Sequence, residues 1–181
     1  MKKILVLLWM VLTIQLSFAQ SSLYQRGSQK ILDDNFELFD KQLFSASKYE
    51  FEELKNSDLS KNDEVFVDFH HAISALKIDN PAASDLVYNF IRKHPDHPRV
   101  NEAAHILGNY FFDKKNYREA IPAFKKVDTN KIWPEQRAEV LFKMGYAQFQ
   151  LEDYNNALNN FNLVKRERSA YTPDANYYAG F

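Results

Sequence analysis

Residues 101–127 read NEAAHILGNYFFDKKNYREAIPAFKKV, and this stretch decides the fold. Small and apolar residues recur three or four positions apart on both sides of a polar break at residues 113–116, which predicts two amphipathic helices. Asn116 and Glu119 have the spacing of a capping box, so we expect the second helix to begin there. The stretch therefore predicts a helical hairpin, a unit of roughly 34 residues.

The second helix of this hairpin has a pattern that recurs along the chain. Each copy spaces four residues by three, four and three positions, and the small residue in second place returns after 36, 37 and 37 residues. A regular recurrence of this kind predicts a repeat protein, whereas the alternative is an ordinary Phe-rich helical bundle. The copies are Phe44-Ser47-Phe51-Leu54, Asn80-Ala83-Val87-Phe90, Tyr117-Ala120-Phe124-Val127 and Tyr154-Ala157-Phe161-Val164.

Three of the four glycines in the chain mark the first helices of these units. Gly145 follows Gly108 by 37 residues, and Gly180 follows Gly145 by 35. A glycine inside a helix costs about 1 kcal/mol relative to alanine, so it indicates a place where a neighbouring helix comes too close for a side chain. Asn35 and His71 stand at the equivalent places upstream, which makes the first two copies degenerate.

The order Leu107-Gly108, then Ala120 and Phe124, resembles the tetratricopeptide repeat pattern. The resemblance extends over residues 28–181 and implies an all-α fold, an α-solenoid of stacked antiparallel helix pairs with about four hairpins and the start of a fifth. The approximate repeats are 28–60, 64–97, 101–130, 138–168 and 173–181. The residues expected to pack the repeats are Gly108, Ala120, Phe124, Gly145, Ala157, Phe161 and Gly180.

Polar and proline-containing links separate the predicted hairpins. A residue before a proline is pushed out of the α region, so we expect the links with Pro98, Pro134 and Pro173 to start the first helix of the next hairpin. Ser60, with Asp63 three residues later, marks another helix start. Trp133 is expected to pack over a hairpin junction.

Residues 1–19 have the organisation of a secretory signal sequence. A basic start at residues 1–3 precedes an apolar run at residues 4–16, and small residues precede a predicted cut after Ala19. The alternative is a retained membrane anchor, but the run is shorter than the about 20 residues that a span needs. The chain has no cysteine, which excludes a lipoprotein anchor. We therefore expect an exported repeat domain, residues 20–181, in the periplasm or associated with the outer membrane.

Composition and charge argue against a nucleic-acid partner. Without the signal sequence the chain carries 21 Lys and Arg against 24 Asp and Glu, a formal net charge near −3. The densest basic cluster, Lys165, Arg166 and Arg168, has Glu167 in its middle. We interpret this cluster as a solvated helix end, because a nucleic-acid site needs a basic patch without interspersed acids.

The sequence contains no pattern that predicts catalysis, a cofactor or a bound metal. Nucleophile elbows, glycine-rich phosphate loops, HExxH and paired-cysteine motifs do not occur. His70 and His71 diverge by about 100° on a helix and cannot ligate one metal together. His94 and His97 flank a proline link and could approach His105, so a metal there is the alternative to an exposed link. The prediction is a non-enzymatic protein.

The resemblance implies that the first helices of the hairpins line a concave, partner-binding face. Equivalent positions there carry mainly aromatic side chains, which suit an extended peptide or a partner's helix. For each aromatic residue, burial between repeats is an equal alternative to exposure. Asn109 alone matches the family's charged clamp for C-terminal carboxylates, which argues against that ligand. The predicted partner-binding residues are His105, Asn109, Phe112, Phe142, Tyr146, Phe149 and Tyr177.

Within the tetratricopeptide family, the signal sequence and links such as residues 90–96 resemble large envelope proteins of Gram-negative bacteria. The implied function is a scaffold that holds a protein partner in envelope assembly or secretion, with no small-molecule substrate. The alternatives are a regulatory or targeting arm of a longer enzyme, or a peptidoglycan-associated protein. Residues 173–181 start a hairpin without completing it, so we expect this chain to be the N-terminal part of a longer array or, alternatively, a truncated gene product. We also expect the last helix of this chain, at residues 173–181, to be its least well packed element.

Overall fold

The regular structure of residues 30–181, the part that this computed structural model describes, is helical throughout. The predicted signal sequence lies outside the described residues. No helix among them combines the length and hydropathy that crossing a membrane requires. The helices are α1 at residues 30–40, α2 Phe44–Leu54, α3 Lys61–Lys77, α4 Ala83–Lys93, α5 Arg99–Asp113, α6 Tyr117–Phe124, α7 Pro134–Gln150, α8 Tyr154–Glu167 and α9 Thr172–Tyr178, with a 3-10 turn at Thr129–Lys131.

The helices stack as successive antiparallel pairs, which confirms the predicted α-solenoid. From α2 to α9 each helix packs against the next one along the chain. The first helices α3, α5 and α7 also pack directly against one another in sequence. Elements on the inner side of a curved array lie closer together than those on the outer side, so these contacts place the first helices on the concave face.

The positions that recur in the second helices form the core of each pair. The small residue of every copy is buried, and so is the large side chain four residues after it. The packing is therefore the same in all four pairs, because each repeat presents the same side of its second helix to its first helix. The buried sets are Ser47, Ala83, Ala120 and Ala157; Phe51, Val87, Phe124 and Phe161; and Leu54, Phe90, Val127 and Val164.

Gly108 and Gly145 occupy matching places in the third and fourth pairs. A Cβ atom at Gly108 would lie 2.4 Å from the ring of Phe124, and one at Gly145 would lie 3.0 Å from the ring of Phe161. The neighbour that excludes a side chain is therefore the phenylalanine of the second helix. Ala120 is also buried between the helices, but the three heavy atoms nearest to a Cβ at Gly108 all belong to Phe124.

Gly180 does not have the packing role that its spacing predicts. Helix α9 ends at Tyr178, so Gly180 lies beyond the helix, and a Cβ there would meet the carbonyl oxygen of Tyr177 at 3.3 Å. The physical reason for this correction is that no second helix of the described chain packs over it. In the two degenerate copies, Asn35 and His71 are buried at the equivalent places.

Of three predicted local signals, the Ser60 cap is confirmed, the Asn116 cap is confirmed in position only, and the Trp133 contact is wrong. Ser60 caps α3 as predicted, since its Oγ accepts a hydrogen bond from the N–H of Asp63 at 3.2 Å. Asn116 precedes α6 as expected, but its side chain makes no cap hydrogen bond. Trp133 is 78% exposed and does not cover a hairpin junction. The indole stays in solvent because Trp133 lies in the extended link immediately before Pro134, where α7 begins.

Candidate functional site

An open groove of 590 Å³ runs along the concave face between α5, α7 and α9. Three successive helix pairs contribute to it, through the C-terminal end of α5 and the start of α6, the middle of α7, and α9. We call it the aromatic groove. Its lining consists of Phe112, Tyr117, Phe142, Tyr146, Tyr177 and Tyr178, together with the charged residues Asp113, Lys115 and Asp174.

Tyr146 on α7 is the residue that joins the walls of the aromatic groove. Its ring centroid lies 5.7 Å from that of Phe112, 5.9 Å from that of Tyr117 and 5.2 Å from that of Tyr178. The three ring pairs meet at 62°, 71° and 86°, which is the edge-to-face arrangement that aromatic quadrupoles favour. Each such pair contributes about 0.5–1.5 kcal/mol, so the packing of the repeats also holds the shape of the groove.

Two tyrosines of the groove, Tyr117 and Tyr178, are un-ionised at neutral pH. Burial raises the pKa of Tyr117 and of Tyr178 above the ordinary value, and the neighbouring phenol of Tyr146 adds to both shifts. A neutral phenol has one O–H donor and can also accept a hydrogen bond. The groove therefore presents hydroxyl groups to a ligand as well as apolar ring surface.

The structure separates the predicted aromatic contacts into lining and packing residues. Phe112, Phe142, Tyr146 and Tyr177 line the groove, and Tyr177 is 63% exposed. Phe149 does not line it. The Phe149 ring packs 5.4 Å from that of Tyr178 and 5.6 Å from that of Tyr154.

A polar cluster of His105, Asn109, Glu139 and Lys143 lies beside the groove and ties α5 to α7. Lys143 Nζ donates to Glu139 Oε1 at 2.7 Å and to Asn109 Oδ1 at 2.8 Å. His105 Nε2 lies 3.3 Å from Glu139 Oε2. The predicted contacts His105 and Asn109 are thus engaged within the fold, and they hold two repeats together.

Glu139 is the charged centre of this polar cluster. A hydrogen bond from His105, with further contributions from Lys143, lowers the pKa of Glu139 to about 2 although burial opposes ionisation. Lys143 Nζ also lies 5.5 Å from the ring centroid of Phe112, so the cluster borders the aromatic groove. Sequence reasoning missed Glu139 and Lys143. Their spacing of four residues along a first helix was the signal that could have indicated an ion pair.

A second charged cluster forms around Asp68 on α3, which is 7% exposed. Lys93 Nζ lies 2.7 Å and His94 Nε2 lies 2.9 Å from Asp68 Oδ2, while Lys55 Nζ lies 3.5 Å from Oδ1. Burial opposes ionisation, but the hydrogen bonds from Lys93 and His94 lower the pKa of this carboxyl below its ordinary value. Through Lys93 and His94, the cluster links the C-terminal end of α4 to α3.

The three histidines considered as metal ligands have separate partners. His94 contacts Asp68, and His105 contacts Glu139. The Nδ1 atom of His97 accepts a hydrogen bond from the backbone N–H of Arg99 at 3.2 Å. Within residues 30–181 there is no group of three or more His, Cys, Asp or Glu side chains arranged to hold a metal ion.

Two solved structures have a fold similar to that of this chain. MamA AMB-1 matches with a TM-score of 0.58 and 20% identity over 77% of this chain and 72% of that chain. MamA MSR-1 matches with a TM-score of 0.54 and 20% identity over 76% and 75%. MamA is a tetratricopeptide-like, all-helical protein, and this chain has the same kind of fold. No family model and no curated protein sequence matches the chain.

Proposed function

We propose that this chain is a non-enzymatic interaction scaffold whose aromatic groove holds an extended peptide or a helix of a protein partner. The observation that carries the proposal is the convergence of aromatic side chains from three helix pairs on one open groove. Aromatic residues supply large contact area at a low cost in side-chain entropy and dominate protein-binding sites. A rigid groove on the concave face of a repeat array is the usual geometry for such binding.

The proposal extends to the place where the scaffold works. The signal-like residues 1–19 support export to the periplasm or to the outer membrane, where the scaffold would take part in envelope assembly or secretion. Cell fractionation with mass spectrometry of the N-terminus tests this part. We expect an envelope fraction and a mature chain beginning at Gln20, whereas an unprocessed cytoplasmic chain would contradict export.

Two matched tyrosine variants test the binding proposal. Tyr177→Ala removes a groove residue that is 63% exposed, and Tyr49→Ala removes a residue on α2 that is 61% exposed and outside the groove. Both variants should fold, because both side chains lie mainly in solvent. In affinity capture from envelope extract, we expect Tyr177→Ala to lose a specific partner that the unmodified chain and Tyr49→Ala retain. Equal capture by both variants would remove the groove from the proposal.

A further inference from the structure

The aromatic groove contains three exposed charged side chains. Asp113, Lys115 and Asp174 line it and are exposed. In the part of the chain that the structure describes, none of the three forms an ion pair. Two carboxylates against one ammonium give the groove a net negative charge. Charges of one sign beside low-dielectric walls concentrate ligands of the opposite sign.

Two aromatic rings on α5, one of them in the lining of the groove, already lie near cations of the chain itself. Lys143 Nζ lies 5.5 Å from the ring centroid of Phe112, and Lys114 Nζ lies 4.8 Å from that of Tyr110. The negative face of an aromatic ring attracts a cation at these distances. Cation–π contacts are thus part of the packing of α5 and α7.

We propose that the aromatic groove receives a basic side chain of the partner, arginine above all. The cation lies against the rings of Tyr146 and Tyr178 and pairs with the carboxylate of Asp113 or Asp174. Arginine suits both contacts because its planar guanidinium stacks on aromatic rings and binds carboxylates through two N–H groups. This inference rests on the proposed function and names the chemistry of the partner that the scaffold holds.

The carboxylates of Asp113 and Asp174 favour a basic partner segment over a neutral one. A proline-rich or purely aromatic segment would use the rings, but it would leave both carboxylates without a partner. A segment with a basic residue uses the rings and the carboxylates together. Binding of a basic segment also depends on salt, because exposed charges are screened at high ionic strength.

Two peptides that differ in one group test the inference. The probes are Ser-Gly-Ser-Pro-Arg-Pro-Ser-Gly-Ser and the same peptide with citrulline, a neutral isostere, in place of arginine. Each is titrated into the isotopically labelled chain while the amide resonances are followed by NMR. We expect the arginine peptide to shift the amides of Tyr146, Asp174 and Tyr178, and the citrulline peptide to bind about tenfold more weakly.

Variants of the groove charges give a second test, because removing a carboxylate and removing the ammonium should change peptide affinity in opposite directions. Asp174→Asn and Asp113→Asn each remove a carboxylate without changing shape, and each should weaken the arginine peptide about threefold. Lys115→Asn removes the ammonium and should tighten binding by a similar factor. Asparagine tolerates the left-handed backbone that Lys115 adopts, where φ is 57°. Thermal unfolding of each variant checks that the fold is kept.

The outcomes separate this inference from the proposed function. Equal affinity for the two peptides, or no shift of the groove amides by either, overturns the inference. So does binding that all three charge variants leave unchanged. If Tyr177→Ala still abolishes partner capture in those cases, the scaffold proposal stands with a neutral occupant. If the arginine peptide binds as expected but no partner is captured through the groove, the scaffold proposal fails separately.

Discussion

A glycine on a first helix and a phenylalanine on a second helix form a complementary pair in this fold. At Gly108 the ring of Phe124, which is 1% exposed, occupies the volume that a side chain would need. The helix gives up the propensity that alanine would provide, about 1 kcal/mol. In exchange a large aromatic ring is buried, which stabilises the fold by about 1.5–3 kcal/mol.

Alanine substitutions at the three glycines should therefore differ in cost. Gly108→Ala should lower the free energy of unfolding by about 1–3 kcal/mol, because the new methyl group overpacks against Phe124. Gly145→Ala should cost less, since its Cβ would meet Phe161 at 3.0 Å. Gly180→Ala is the control, and its effect should stay within about 0.5 kcal/mol. Urea denaturation measures all three, and equal costs would contradict the pairing.

Two neighbouring histidines on α3 are buried without charge. His70 lies among aromatic rings and donates from Nδ1 to the carbonyl oxygen of Phe66 at 2.8 Å. Burial lowers its pKa to about 4. His71 is 3% exposed, and burial together with the charge of Lys55 lowers its pKa to about 4 as well. Both residues therefore resist protonation in the folded chain.

These two histidines should make the fold less stable in mild acid. Unfolded histidine has a pKa of about 6.5, so below that pH the unfolded chain binds protons that the folded chain excludes until about pH 4. Stability should fall as pH decreases through this window, by up to about 1.4 kcal/mol per pH unit for each histidine. Urea denaturation between about pH 7 and about pH 5 measures the slope.

The variants His70→Gln and His71→Gln isolate this effect from the titration of carboxylates. Each variant removes one group that binds a proton in the unfolded state, and each should reduce the slope of stability against pH. The comparison is of slopes, so a constant loss of packing in the variant does not affect it. A slope equal to that of the unmodified chain in both variants would show that neither histidine is responsible.

At the scale of the helix, the four hairpin turns have the same backbone conformation. Gln42, Asp79, Lys115 and Glu152 have φ values of 60°, 54°, 57° and 63°. The next residue in each turn donates its N–H to the carbonyl five residues earlier, as in Asn116 to Phe111 at 2.9 Å, which is a Schellman helix end. Glycine is the usual residue there, yet all four turns use a side chain with a left-handed backbone.

Glycine at one of these turns should stabilise the chain. Lys115→Gly relieves the strain of a left-handed backbone, about 1–2 kcal/mol, against a smaller entropic cost, so we expect a gain of about 0.5–1 kcal/mol. Lys125→Gly is the matched control, because Lys125 is exposed and has a right-handed φ of −63°. It should destabilise by about 0.5–1 kcal/mol. Thermal unfolding measures both, and the same sign for the two changes would contradict this account.

At the scale of the whole molecule, stability should vary along the stack. Helix α5 packs against α3, α4, α6 and α7, and it buries Ala103, Ala104, Leu107 and Gly108. Helix α9 packs mainly against α8 and buries Ala175. In a repeat array, contacts are limited to neighbouring elements, so a helix with fewer neighbours opens at a lower free energy.

Hydrogen exchange should show this gradient directly. Amides of α9 should exchange faster than those of α5, because local opening of α9 breaks fewer buried contacts. Mass spectrometry of peptides from Thr172–Tyr178 and from Arg99–Asp113 compares them in one experiment. Protection in α9 equal to that in α5 would contradict the prediction. It would also mean that the ring contacts of Tyr178 with α7 hold α9 as firmly as an inner helix is held.

Much of the fold was predictable because its information is local and repeated. The spacing of Ala120, Phe124 and Val127 is enough to place one side of a helix in a core, and three further copies remove the ambiguity of a single match. The site was less predictable. His105 and Asn109 have the right register for the concave face, but their partners Glu139 and Lys143 lie 30 or more residues away along the chain.

The sequence by itself determined that this protein is a stack of helix pairs with glycine and small residues at close crossings. Periodicity and repeat spacing are properties of the chain that do not depend on what folds against it. Only the tertiary structure decided that Phe112, Tyr146 and Tyr177 line a groove while Phe149 packs beside it. The same aromatic residue at the same helical position can be core or surface, because burial depends on the neighbouring repeats that cover it.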